Sequence, residues 1–562
     1  MPALRPVWVL VGWCLLNLVQ AALTPLDPDE TYYWMYAQAL DWGYFDHPPA
    51  VALLIAAGKD WLPAGLGLRL GHVLTSTALL VGMYYLLDRP RGRWLTLAAG
   101  LVLAQPMVQV YGFIATPDGP LLLGTVLYLL AYRAFLRRPS VGLGLVWGLT
   151  MALLLYGKYH GVVLILFSVL PHLGYLLRQP GSWVAAGAGL LLYAPHLYWQ
   201  YAHDYPSFRY HLRGRDDAYQ LKYTLRYLLN QLVIFSPLLL YYYVRALRED
   251  HAHDRFERAC RWLIGGVLLF FLYTTSKGGT EAQWTALLSI PLVYLTYRAV
   301  RRHPDWLPGV RRMAYLTIGL LLLARIALVL PRTWLPFRKP FDHGPWVREL
   351  ATTVGNLPLM VENSYRLASI YQFYSGKPAW TFTTTNYRPN QYDLWARDSS
   401  FHRRTVYLLG QANWDRPPAT PFRTQTRDML LDRIEDFQVI KGVRLRLGAP
   451  LPDTLRATPQ ADTVALYAHS PLRVALQAPD LPIGLFAMLE YPDGERVYWP
   501  LEPLQTTTLP AAKDTLLYRG PLRLPKAVRP GPATVLFGMT YRGMRPLREQ
   551  LEAITVVVGP AQ

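Results

Sequence analysis

From Val7 to Leu330 the apolar residues gather in long runs near 7–23, 64–87, 94–114, 118–136, 141–156, 161–177, 182–200, 223–244, 260–275, 283–299 and 313–331. Runs of about 17–25 apolar residues are what an α-helix needs to cross the hydrocarbon of a bilayer. The pattern predicts a multi-pass α-helical membrane protein with about eleven transmembrane helices over residues 1–335. Beyond 335 the period changes. Residues 336–440 mix a helical "VRELATTVG" with short strand-like "NLPLMVEN" and "TVYLLG", which predicts a soluble α/β region. Within "SYRLASIYQFYSGKP", Tyr365, Leu367, Ile370 and Phe373 read as the apolar face of a helix. From 441 to 562, "GVRLRLG", "DTVALYAHS", "LRVALQA", "IGLFAMLEY", "ATVLFGMTY" and "AITVVVG" alternate between turns rich in proline and glycine, the pattern of a β-sandwich.

The net charge of +19 fits arginine flanking membrane helices better than a nucleic-acid surface. With the N-terminus inside, the inner loops "DRPRGR", "YRAFLRRP", "VRALREDHAHDRFERACR" and "YRAVRRHPDWLPGVRR" hold most of the loop Lys and Arg. An odd number of helices then puts the C-terminal regions on the outer side, periplasmic in a bacterial inner membrane. Arg5 ahead of the first run and Ala21-Ala22 after it leave room for a cleaved signal peptide, with Asp29 outside in either case. The two cysteines, Cys14 and Cys260, both lie in the helical half, so no disulfide framework is predicted.

The outer turns carry the chemistry. "DPDETYYWMYAQALDWGYFDHPP", residues 27–49, holds five acidic residues and seven aromatic rings directly after the first span. Asp29 could cap a helix and the rings could form an interfacial belt, but one cap needs one carboxylate, and Asp29 and Glu30 stand together. Asp46 and His47 precede two stiffening prolines. "GFIATPDGPLLL" places Asp118 where two spans meet, as a cap or as a site residue. "YGKYHG" supplies Lys158 and Tyr159, "APHLYWQYAHDYPSFRYHL" supplies His196 and Arg209, and "SKGGTEAQW" supplies Lys277 and Glu281. Polar groups at membrane depth are costly unless they face one another or a cavity, so their recurrence at the outer ends marks a site. No glycine loop of the nucleotide-binding kind accompanies them.

In that order, "DE" after the first span, "GYFDHPP", "TPDGPLLL", "GKYHG", "SKGGTEAQW" and "SYRLASIYQFYSGKP" resemble the GT-C glycosyltransferases that use polyprenyl-phosphate sugars. The resemblance is to the bacterial branch similar to protein O-mannosyltransferases and the aminoarabinose transferase of lipid A, and covers about residues 7–380. Gly157, where relatives often carry serine, and the glycine-rich loop around Lys277 depart from the pattern. The resemblance implies transfer of a sugar from a polyprenyl (undecaprenyl) phosphate to a hydroxyl or phosphate of a lipid, glycan or protein, with inversion. It assigns the base to Asp29, with Glu30 orienting it. Lys158, Lys277 and Arg209 become candidates to stabilise the phosphate leaving group. Asp46, His47 and Asp118 would hold sugar hydroxyls, or a divalent metal ion if one binds, with Tyr159, His196 and Glu281 completing the substrate-binding set.

An oligosaccharide ligase is the neighbouring alternative. A transporter would place its charges near the bilayer midplane instead. The topology is testable by labelling: Ser400→Cys should react with an impermeant thiol reagent on intact cells. Labelling of Ser400→Cys only after lysis, with Arg255→Cys reactive from outside, would invert the orientation.

Overall fold

The computed structural model describes all residues except 1–4, 214–218, 250–253, 331–342, 386, 396, 412–419, 425–426, 456–461, 526, 542, 548–549, 551–552 and 560–562. The chain divides into two compact units, Met1–Asp342 and His343–Gln562. The boundary expected at 335 lies outside the described residues.

The first unit is helical: α1 (Pro6–Leu23), α2 (Pro28–Ala37), α3 (Ala50–Ala56), α4 (Ala64–Leu86), α5 (Arg93–Leu103), α6 (Pro106–Val110), α7 (Asp118–Arg137), α8 (Val141–Gly157) and α9 (Gly161–Val169). There follow α10 (Leu173–Leu176), α11 (Pro180–Ala202), α12 (Pro206–Arg213), α13 (Leu221–Ile234), α14 (Leu240–Leu247), α15 (Arg255–Thr274), α16 (Ser289–Arg302) and α17 (Leu307–Val329). Helix occupies each of the eleven expected stretches, yet only five of these helices, among the described residues, are long and apolar enough to cross a membrane alone. A sixth arises if α13 and α14, bent by 80° at their break, count as one span. The remaining stretches fall short for visible reasons. Pro106 starts a new helix after α5, a 3-10 turn at Leu170–His172 separates α9 from α10, and Ala282–Leu288 is 3-10 before α16 begins.

Outward-facing apolar side chains clothe these helices: Trp8, Leu15 and Val19 on α1, Leu190 and Leu191 on α11, Leu320 and Leu323 on α17 are all exposed. So much exposed leucine suits lipid rather than water as the surrounding medium. Inside, small residues set the closest approach. Cβ atoms added at Gly144 and Gly148 of α8 would lie 2.2 Å from the Gly181 carbonyl oxygen and 2.5 Å from that of Ala185 on α11. These two backbones pack with no room for a side chain, the small-residue contact that holds helices together where lipid removes the hydrophobic drive.

The second unit opens with α18 (Gly344–Val354), β1 (Leu359–Glu362), α19 (Tyr365–Ser375), β2 (Ala379–Phe382) and α20 (Gln391–Leu394). With β3 (Arg404–Gln411), β4 (Pro421–Arg423) and β5 (Asp428–Phe437) these strands form one sheet of order β2-β1-β3-β5-β4. The β1 strand pairs in parallel with both β2 and β3, and α19 makes the crossover. On α19, Tyr365, Leu367 and Ile370 are buried as expected, but Tyr371 is buried while Phe373 is only half-buried.

Ten further strands follow: β6 (Arg444–Leu447), β7 (Thr454–Leu455), β8 (Thr463–His469), β9 (Val474–Ala475), β10 (Ile483–Glu490), β11 (Arg496–Pro500), β12 (Thr508–Leu509), β13 (Thr515–Pro521), β14 (Gly531–Tyr541) and β15 (Ile554–Val558). Their sheets are β11-β10-β14-β15-β7, β13-β8-β6 and the short pair β12-β9. Burial alternates along β8 and β10, which is the period-two signal legible in the sequence.

Candidate active site

Asp27 is the N-cap of α2. Its Oδ1 accepts from the Asp29 N–H at 2.8 Å, and the Glu30 carboxylate accepts from the Asp27 N–H at 2.8 Å, closing a capping box with Pro28 at the first helical position. Asp29 therefore is not the cap. It sits half-buried in the first turn, where a negative charge is favoured by the helix dipole.

Glu30 is fully buried and bound by both arms of Arg69 from α4, the Nε–H at 2.7 Å and Nη2 at 2.5 Å. Glu30 also accepts from the Ala115 N–H at 2.8 Å, and Arg69 donates to the carbonyls of Ala21, Thr24 and Pro25. Glu30, expected to orient Asp29, ties α2, α4, the end of α1 and the segment before α7 together. Every lone pair direction of its carboxylate is committed to a donor, as a buried charge requires.

Loop 38–49 folds back over α2. The Asp46 Oδ2 accepts from Tyr32 at 2.8 Å and from Tyr36 at 3.0 Å, and the His47 Nε2 lies 3.1 Å from the Tyr33 hydroxyl. Tyr36 stacks on Tyr44 with centroids 4.2 Å apart. Burial and then the neighbouring Asp46 charge push the Tyr36 hydroxyl well above its ordinary pKa, so it stays a hydrogen-bond donor. Among the rings that could form an interfacial belt, Tyr32 and Tyr36 are thus the hydroxyl donors that fix Asp46.

Asp118 does not cap α7: the cap position is Pro117, and Asp118 forms a buried ion pair with Lys158 at 2.8 Å. Lys158 ends α8 with extended backbone, turning its side chain back toward the start of α7. Glycine at 157 is required here, because a Cβ would meet the Leu121 N at 2.9 Å. Beside it the Tyr159 hydroxyl contacts the His196 Nε2 at 3.1 Å and Ser207 Oγ at 2.9 Å. The His196 Nδ1 is 2.7 Å from the Trp42 carbonyl, and Ser207 donates to the Tyr44 carbonyl. Tyr159 and His196, expected to touch substrate, form a latch that joins α11 and α12 to loop 38–49.

The remaining expected residues lie apart. Arg209 is exposed and paired with Asp204. Lys277 and Glu281 are exposed on the segment after α15, which His160 reaches through ring contacts to Phe271 and Trp284. Arg209 lies on α12, Lys277 ends a 3-10 turn after α15, and Glu281 precedes the 3-10 turn that leads into α16. Among the described residues no three His, Cys, Asp or Glu side chains form a metal-binding group, and Asp46 and His47 both spend a side-chain atom on tyrosine hydroxyls. The donor set does not fit a metal centre.

Sequence reasoning missed Arg69, His72 and Arg325. Each is a charged or titratable residue inside an apolar run, the signal that marks function or burial within a membrane. His72 is fully buried, and a Cβ on Gly119 would lie 3.3 Å from its ring.

A family model described as dolichyl-phosphate-mannose-protein mannosyltransferase matches residues 46–199, which span Asp46, Asp118, Lys158 and His196. This match, the relative and the solved structures that follow together indicate a membrane glycosyltransferase with the GT-C fold. The lipid A galacturonosyltransferase RgtD of Rhizobium johnstonii is 25% identical over 417 residues, 66% of this chain and 84% of its own. ArnT from Cupriavidus metallidurans in the apo state has a similar fold, with a TM-score of 0.58 at 14% identity over 76% of this chain and 97% of that one. ArnT bound to undecaprenyl phosphate matches over the same shares with a TM-score of 0.56.

The anchoring role of Glu30 predicts a stability defect. Glu30→Gln keeps the shape but leaves Arg69 buried without its counter-charge, a loss of about 3–5 kcal/mol by analogy with broken buried pairs. Thermal unfolding in detergent should show a clearly lowered midpoint. A midpoint equal to wild type would remove Glu30 as an anchor.

Proposed function

We propose that this protein transfers a sugar from a polyprenyl phosphate to a hydroxyl or phosphate acceptor at the outer face of the membrane, crossing the bilayer about eleven times. One observation carries the reading: in the first turn of α2, Asp27 caps the helix and Glu30 pairs with Arg69, and the half-buried Asp29 stands between them on the helix that also carries Tyr32 and Tyr36, the partners of Asp46. The relatives support the donor and acceptor class. RgtD acts on lipid A and ArnT binds undecaprenyl phosphate, which favours an undecaprenyl-linked donor and a lipid acceptor here.

In the proposed step the acceptor oxygen attacks the anomeric carbon while Asp29 takes its proton. The bond from that carbon to the phosphate oxygen breaks, leaving the lipid as a phosphate monoester. Attack opposite the leaving group inverts the anomeric centre. The ammonium of Lys158, held by Asp118 in a site from which water is largely excluded, stabilises the charge growing on the phosphate. Asp46, fixed by Tyr32 and Tyr36, retains acceptor capacity for sugar hydroxyls.

Asp29→Asn should fold, reach the membrane and bind donor, yet transfer sugar about 10²–10⁴ times more slowly, the usual cost of losing a general base. Asp27 still caps α2 in that variant, so a folding defect is not expected. Transfer within about threefold of wild type at matched protein levels would reject Asp29 as the base.

Lys158→Met should lower kcat with the donor by more than about tenfold, equivalent to about 1.4 kcal/mol. Steady-state kinetics on a panel of polyprenyl-phosphate monosaccharides would show it and identify the sugar. Unchanged kinetics in folded protein would make the Asp118–Lys158 pair structural only.

A further inference from the structure

Arg325 lies one turn before the end of α17 and is 4% exposed. Its guanidinium is held by three side-chain amides: Nη2 donates to Asn17 Oδ1 at 2.6 Å, Nη1 to Gln109 Oε1 at 2.7 Å and Nε to Gln20 Oε1 at 3.4 Å. Among the described residues no carboxylate forms an ion pair with it. A cation in an apolar span is expensive to keep, and a neutral amide could have joined α17 to α1 at less cost. Its neighbours show what the cation adds.

The guanidinium carbon is 4.8 Å from the centroid of the Phe113 ring, and the Arg69 guanidinium is 6.0 Å from the same centroid. One ring therefore contacts two arginines from two different helices. The residue before it is seated equally closely: a Cβ on Gly112 would lie 2.7 Å from Asn17 Oδ1, the oxygen that accepts from Arg325, and 2.9 Å from Trp13. Two residues after Phe113, the Ala115 N–H donates to Glu30, and Asp118 follows with its bond to Lys158. Segment 111–118 is thus gripped at one end by the Arg325 box and at the other by the Arg69–Glu30 pair. Each grip fixes one side of the same short turn.

We propose that Arg325 is a positioning residue for the transfer reaction. Through its planar fork and its contact with Phe113 it sets the register of segment 111–118, and so the place of the Asp118–Lys158 pair relative to α2. The proposal rests on the reading of that pair as part of the donor site. A fork of fixed geometry suits this role, because it ties α17 to both α1 and α6 in one plane, whereas the three donors of a lysine ammonium rotate freely about its flexible stem.

Hydrogen exchange and kinetics on the full-length protein in detergent test it. In Arg325→Met the peptide covering 111–118 should exchange at least tenfold faster, with the peptide covering α4 unchanged. The kcat should fall at least tenfold with donor KM within threefold, and Arg325→Lys should restore only part of it. If Arg325→Met does not accumulate as folded protein, Phe113→Leu carries the test, with the same direction in exchange and in kcat. Unchanged exchange in 111–118, full rescue by lysine, or kcat within threefold of wild type would each overturn the proposal. Lys158→Met assayed in parallel separates the two ideas: an impaired Lys158→Met with an active Arg325→Met rejects positioning alone, and a fully active Lys158→Met rejects the reading of the Asp118–Lys158 pair on which positioning rests.

Discussion

The Glu30–Arg69 pair is the contact on which the outer half of the helical unit depends. Both side chains are almost completely buried, 0% and 1% exposed, so neither charge could survive there without the other. Because Glu30 also completes the cap of α2 and accepts from Ala115, the pair fixes three backbone segments at once. The carbonyls of Ala21, Thr24 and Pro25 use the remaining donors of Arg69, which pins the end of α1 to the same point. The acidic stretch that follows the first span is therefore folded, not merely solvated.

Once that pair is in place, the roles of the carboxylates separate by environment. Asp27 serves the backbone and Glu30 serves Arg69, Asp46 is tied to two tyrosines and Asp118 to Lys158. Asp29 lies half-buried in the first turn of α2, its backbone N–H donating to Asp27. Carboxylates that look equivalent along the chain differ here because hydrogen bonding and burial, rather than residue type, decide which one can exchange a proton. The tyrosine-rich character of the stretch has the same origin. Its rings fill the space under loop 38–49, and their hydroxyls satisfy Asp46 and His47 where water would otherwise be needed.

Much of this was legible in the sequence and some was not. Residues 27–49, Asp118 and Lys158 stood out because charge beside apolar runs is rare, and the structure joins Asp118 directly to Lys158. Arg209, Lys277 and Glu281 carried the same signal, yet their side chains are exposed. Exposure of a charge near a helix end looks the same in a sequence whether the side chain turns inward or outward. The partner of Glu30 was not legible, because Arg69 is far along the chain and lies inside an apolar span. Span counting met a similar limit. Hydropathy located helices at all eleven stretches, but proline breaks and the 80° bend between α13 and α14 arise from packing that no window average contains.

The sequence alone determined the division into a helical half rich in apolar runs and a strand-rich half, since periodicity and run length are local properties. It also determined that the polar chemistry sits at helix ends, because each acidic or basic cluster borders an apolar run. Only the tertiary structure decided which of those groups meet. Pairing of Glu30 with Arg69, of Asp118 with Lys158, and of Arg325 with Asn17, Gln20 and Gln109 joins residues 39, 40 and up to 308 positions apart. Burial makes each such choice steep: inside the helix bundle an unpaired charge is far costlier than in water, so the fold must bring partners together that chain order keeps apart.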